Sequence, residues 1–176
     1  THGIPVYSLY GHHRSPTPER LAGLDIILFD LQDLGCRIYT YITTLQYFLA
    51  AAASTELEIW VLDRPNPAGR GIDGLRLEAG QESFVGAAAL PCRYGLTIGE
   101  LALWMNAQLS QPAHLTLIEM MHYSPNTRPS FGWPSELSWV NPSPNASSLN
   151  MARSFSGTVL LEGTTLSEGR GTTFPL

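Results

Sequence analysis

Apolar and polar positions along this chain follow two different periods. Short β-rich runs, Ile26-Ile27-Leu28-Phe29 and Ile59-Trp60-Val61-Leu62, each break off into charged, amide and turn residues. Runs of that length predict buried strands, here over Asp25–Asp30 and Glu58–Leu62. Between them Tyr41, Leu45, Phe48, Leu49 and Ala52 recur at the spacing of one helix face. The alanines at 50–53 add helix propensity, so a helix is expected over about Thr40–Ser54. Strand, helix and strand with a crossover of this length form a βαβ unit, whose strands run parallel.

The remaining blocks extend the pattern. Pro5–Tyr10 reads as a strand, closed by Gly11 and the polar turn His12–Pro16. Thr17 is an N-cap with Pro18 at the first helical position, opening a short helix ended by Gly23. Residues 63–95 are rich in Gly and Pro and read as a long functional loop with little regular structure. Thr97-Ile98-Gly99-Glu100 is a capping box, which starts a helix to about Leu109. A strand at Leu115–Met120, a loop over 124–148, a short helix at Leu149–Phe155 and a strand at Thr158–Leu161 complete the reading. Strands alternating with helices predict an α/β domain over 1–176 with a largely parallel sheet. The chain stops just after the polar segment 162–172, where a domain seldom ends, so an excerpt of a longer protein is expected.

In open α/β sheets, ligands sit outside the carboxyl ends of the strands. That rule locates the candidate chemistry. Asp30, Asp33 and Asp63 follow two neighbouring strands, where paired carboxylates can do acid and base work. Each could instead cap a turn or pair with Arg37 or Arg64. Tyr39 and Tyr41 could line a sugar face, although Tyr41 also fits as the first core residue of its helix. Glu162, Glu168 and Arg170 form a polar loop after the last expected strand, with solvated surface as the plainer reading.

Composition narrows the partners. The net charge of −5 argues against nucleic acid, which calls for a basic stripe. All 10 basic residues are Arg, a side chain suited to gripping carboxylates, though source bias accounts for much of this. No stretch reaches the roughly 18 apolar residues of a membrane span. The 2 cysteines, Cys36 and Cys92, lie far apart and read as buried thiols rather than a disulfide scaffold. Gly69-Arg70-Gly71-Ile72-Asp73-Gly74 fits G-x-G-x-x-G literally, but it lacks the strand before and helix after that a dinucleotide site needs. His12-His13 is a poor metal pair, because adjacent side chains on a strand point apart. No metal or cofactor is expected.

Nine segments, in order and spanning nearly the whole chain, resemble the NamZ-type exo-β-N-acetylmuramidases, a bacterial glycoside hydrolase family. They are Ile4–Gly11, Phe29–Gly35, Arg37–Tyr41, Val61–Pro67, Ser83–Gly86, Tyr94–Ala102, Pro142–Asn145, Leu161–Thr164 and Leu166–Thr172. The resemblance implies a Rossmann-like α/β domain, helices flanking its sheet, that releases N-acetylmuramic acid from the non-reducing end of peptidoglycan fragments. It further implies a smaller C-terminal domain and an upstream Pro-Glu-His-Gly segment. Neither has a counterpart here, so the domain is expected to lack one or more upstream strands and one member of a catalytic pair. On this reading Asp33, Asp63 and then Glu162 are the expected catalytic carboxylates. Arg37, Arg64 and Arg170 would hold the lactyl carboxylate. Tyr39, Tyr41, Asn66 and Asn145 would contact ring and acetamido groups, with Asp30, Gln32 and Glu168 completing the substrate contacts. The partner is a peptidoglycan-derived amino sugar, and a periplasmic or secreted location is favoured over a cytoplasmic one. A sugar- or nucleotide-binding module without chemistry is the competing expectation.

Overall fold

In the computed structural model of the chain, residues 3–124 and 133–172 are described. The elements run α1 (Pro18–Leu21), β1 (Ile26–Phe29), α2 (Tyr41–Ala52), β2 (Glu58–Leu62), β3 (Asp73–Arg76), β4 (Pro91–Arg93), α3 (Ile98–Gln108), β5 (His114–Ile118) and α4 (Leu149–Thr158). A 3₁₀ turn over Val159–Gly163 follows α4 directly.

Three strands form a parallel sheet in the order β1-β2-β5, and β3 pairs antiparallel with β4 in a separate hairpin. Register places Ile27 beside Ile59 and Phe29 beside Val61, so these four share one face of the sheet. Leu115 and Leu117 extend that face on β5. Against it pack Ile42, Leu45 and Leu49 of α2 and Leu101, Ala102 and Met105 of α3, forming the main core. Two crossovers of one hand, stepping the same way across a sheet, must lie on the same side, and α2 and α3 do.

The expected βαβ unit, the helices at 18, 41 and 98 and the strand at 115 are all present within a residue or two, and the helix at 149 runs three residues further than expected. Three expectations fail. Pro5–Tyr10 is not a strand: it has no ladder partner among the described residues, and Val6 and Tyr7 stand exposed. Thr158–Leu161 is helical, because the chain continues from α4 through local hydrogen bonds, and a three-residue apolar run carries no period to distinguish the two. The 63–95 loop contains the β3–β4 hairpin, hidden because every residue of β3 is exposed and so no alternation marks it. Of the loop expected at 124–148, residues 125–132 lie outside the described residues, and the rest is irregular.

Candidate active site

Because β1, β2 and β5 are parallel, the loops that leave their carboxyl ends share one edge. The loop after β1 carries most of the candidates, and a single backbone requirement shapes it. Gly35 has φ +74°, and a Cβ there would sit 2.1 Å from the Asn66 side-chain oxygen, so only glycine fits. That close approach locks the β1 and β2 loops together. Gln32 completes the tie by donating its amide to the Asp33 and Pro65 carbonyls at 2.8 and 3.0 Å.

Asp33 lies at the centre of this loop, buried rather than open to solvent. Its Oδ2 accepts the Gly35 amide at 2.6 Å and the Tyr94 hydroxyl. Oδ1 has no hydrogen-bond partner among the described residues. Burial pushes the Asp33 carboxyl up to about 6, against the opposing pull of Tyr94 and the Gly35 and Leu34 amides. The Tyr94 phenol is raised in turn, by its own burial and by the adjacent carboxylate. Tyr94 escaped the sequence reading, yet a signal existed: a buried tyrosine needs a partner for its hydroxyl.

Asp63 is spent on α3. Its oxygens accept the Gly99 amide at 2.8 Å, the Thr97 hydroxyl at 3.0 Å and the Arg64 amide at 2.9 Å. Burial raises its pKa, and those donors oppose the rise. The capping box is intact, with Thr97 accepting from the Glu100 amide at 3.1 Å and Glu100 from the Thr97 amide at 2.8 Å. Asn66 is buried with its amide committed to Leu96 and Ala68, both at 2.8 Å. Arg37 donates to the carbonyls of Leu75 and Leu90, stitching the hairpin to the β1 loop.

Two open regions take in predicted residues. One is a crevice of about 570 Å³ at the carboxyl edge, lined by Asp30, Asp63, Arg64, Met120, His122 and Tyr123 among others. Here Arg64 donates to Asp30 at 2.7 Å, forming a half-exposed ion pair. The other is a cavity of about 240 Å³ that brings together Tyr39, Asn145, Glu168 and Arg170. Tyr10, Thr40, Ser143, Met151 and Phe155, which sequence reasoning did not single out, line it as well. Tyr39 stacks obliquely on Tyr41, centroids 4.8 Å apart, and edge-on to Phe155 at 6.1 Å. Tyr41 in turn donates its hydroxyl to the Pro142 carbonyl, fastening the α2 terminus to the 142–146 segment. Arg170 pairs with Glu168 at 2.8 Å, the carboxylate that lines the cavity with it, and also with Glu162. Asn145 accepts the Gly171 amide at 3.2 Å.

The predicted residues therefore separate. Tyr39, Asn145, Glu168 and Arg170 converge on the smaller cavity, Glu162 reaches it only through its ion pair with Arg170, and Asp30, Asp63 and Arg64 converge on the edge crevice. Asp33, Gln32, Arg37 and Asn66 hold loops together and line neither.

Fold and site define the class: an α/β domain with an aromatic and polar cavity beside the loop that leaves the first strand of a parallel sheet. Comparison with known proteins supplies the family. Residues 1–150 match "Exo-beta-N-acetylmuramidase NamZ, N-terminal", and the chain belongs to this NamZ N-terminal domain family, DUF1343. It is 46% identical over 174 residues to the peptidoglycan beta-N-acetylmuramidase NamZ of Bacillus subtilis (strain 168), covering 98% of this chain and 41% of that protein. A DUF1343 family protein of Bacteroides fragilis NCTC 9343, solved by crystallography, superposes with a TM-score of 0.84 at 38% identity, covering 98% of this chain and 45% of its own. A second from the same organism gives 0.80 at 34%, covering 91% and 44%. The chain thus spans less than half the length of these relatives.

Proposed function

We propose that this domain forms the N-acetylmuramic acid pocket of an exo-acting β-N-acetylmuramidase, which releases that sugar from the non-reducing end of peptidoglycan fragments. The observation that carries the reading is the convergence of Tyr39, Asn145, Glu168 and Arg170 on one cavity. Tyr39, backed by Tyr41, offers an aromatic wall for the apolar face of a sugar ring. Asn145 suits an acetamido group. Arg170 suits the lactyl carboxylate that distinguishes muramic from glucosamine sugars, because a guanidinium fork binds carboxylates in two-point geometry. That fork is shared by Glu162 and Glu168, of which Glu162 is far the more exposed, at 48% against 15%. A lactyl carboxylate arriving at Arg170 displaces Glu162 and frees it for proton transfer. Glycosidases generally use two carboxylic groups, and Glu162 is the exposed candidate here. Asp33 and Asp63 support the site from within, as buried loop anchor and helix cap. A substrate drawn from the cell wall favours a periplasmic or secreted setting.

The test is hydrolysis of a chromogenic β-N-acetylmuramide and the matching β-N-acetylglucosaminide by the full-length gene product. Release from the muramide only is expected. A second reading, an amino-sugar-binding module without chemistry, draws on the internal commitment of Asp33 and Asp63. Binding of N-acetylmuramic acid with no release from either substrate, by folded full-length protein, would establish that reading instead.

A further inference from the structure

Cys36 and Cys92 are 56 positions apart in sequence, yet their sulfurs lie 3.9 Å apart in the folded chain. Both are free thiols, buried with Val159 in a small apolar cluster flanked by Ile38 and Phe155. Their main chains are already hydrogen-bonded neighbours: the Arg37 amide donates to the Cys92 carbonyl at 2.8 Å, and Cys36 faces Arg93 in an antiparallel bridge. Cys92 precedes that facing residue by one position, so the two cysteines lie on adjoining stretches of backbone that are already paired. The sulfurs have to close from 3.9 Å to about 2.05 Å for the bond to form.

We propose that Cys36 and Cys92 are an oxidation site, forming an intramolecular disulfide that ties the β1 loop to β4. The oxidant is a disulfide of the thiol-exchange class. Cys92, the less buried of the two at 9% exposure, enters first. Its thiolate attacks the oxidant's disulfide, forming a mixed disulfide and expelling one thiolate. Cys36 then loses its proton and attacks the Cys92 sulfur, releasing the second. Two protein thiols are oxidised by two electrons, one external disulfide is reduced to two thiols, and the two protons leave on those products. Burial holds the Cys36 thiol up at about 12, which argues against its being the thiol that enters first. The bond would fix a loop that carries Asp33 and Tyr39 to a strand that ends directly before Tyr94. Structural disulfides persist in oxidising compartments, which agrees with the setting proposed above.

The experiment compares full-length protein equilibrated with oxidised glutathione and with dithiothreitol. Each sample is alkylated after denaturation and mapped by non-reducing peptide mass spectrometry. The expected result is a linked peptide pair joining Cys36 to Cys92, two hydrogens lighter than the reduced pair, in the oxidised sample only. A Tm roughly 5–15 °C higher in that sample should accompany it, as closing so long a loop constrains the unfolded chain. Both cysteines recovered alkylated and unlinked after oxidation, or each joined to glutathione or to another cysteine, would overturn the proposal. Mapping of the unmutated protein decides the matter, so it does not depend on whether Cys36→Ser or Cys92→Ser folds.

Discussion

Asp33 is the residue whose environment has the clearest thermodynamic consequence. Its ordinary value of 3.8 applies in the unfolded chain, while burial raises it to about 6 in the fold. Between those values the folded protein keeps a proton that the unfolded chain has lost, so stability is complete below about pH 4 and falls as pH rises towards 6. The change is on the order of 3 kcal/mol and is flat above that window. Urea titrations between pH 4 and 7 should show this slope, and Asp33→Asn should remove it. Tyr94 supplies the opposing donor, so its loss matters most where the carboxylate is ionised. Tyr94→Phe is expected to cost about 1.5–3 kcal/mol at pH 7 and clearly less at pH 5. Equal losses at the two pH values would mean that Tyr94 acts through packing alone.

At the scale of elements, the N-terminus of α3 is tied by several side-chain hydrogen bonds at once. Thr97 and Glu100 satisfy each other's amides, and Asp63 reaches in from the end of β2 to take the Gly99 amide. The helix start is thereby joined to the strand it must pack against. Thr97→Ala removes both a cap acceptor and a donor to Asp63, and should lower stability by about 1–2 kcal/mol. The urea midpoint would fall at constant m-value, since the surface exposed on unfolding is unchanged. Elements of this kind were legible beforehand because their signals are local: a 3.6-residue period, a Thr-x-x-Glu box, a short β-branched run. The hairpin β3–β4 was not legible, since every residue of β3 is exposed and no alternation marks it; Arg37, donating to Leu75 and Leu90, ties it to the β1 loop from outside the segment.

For the whole molecule, the cavity around Tyr39 depends on five separated pieces of chain arriving together: the segment at Tyr10, the β1 loop, the 143–146 segment, α4 and the 168–170 loop. Arg170 is half-exposed, so its ion pairs contribute little to folding, within roughly 1 kcal/mol. Arg170→Ala should therefore leave Tm nearly unchanged while lowering kcat/KM for the muramide far more than binding of a glucosaminide. Equal losses on the two ligands would remove Arg170 from the lactyl-binding role.

The sequence by itself determined the class and the family. The βαβ pattern, the capping box and the ordered run of motifs are properties of neighbouring residues, and local periodicity and short motifs survive without knowledge of the fold. It also placed candidate chemistry at the strand ends, because parallel strands send their following loops to one edge. Only tertiary structure decided which candidates face a cavity. Asp33 and Asn66 look as polar on paper as Glu168 and Asn145, but the Gly35–Asn66 contact turns the first two inward and the meeting of distant segments exposes the others. The two cysteines make the same point: read along the chain they are isolated thiols, and only folding brings their sulfurs within reach of each other.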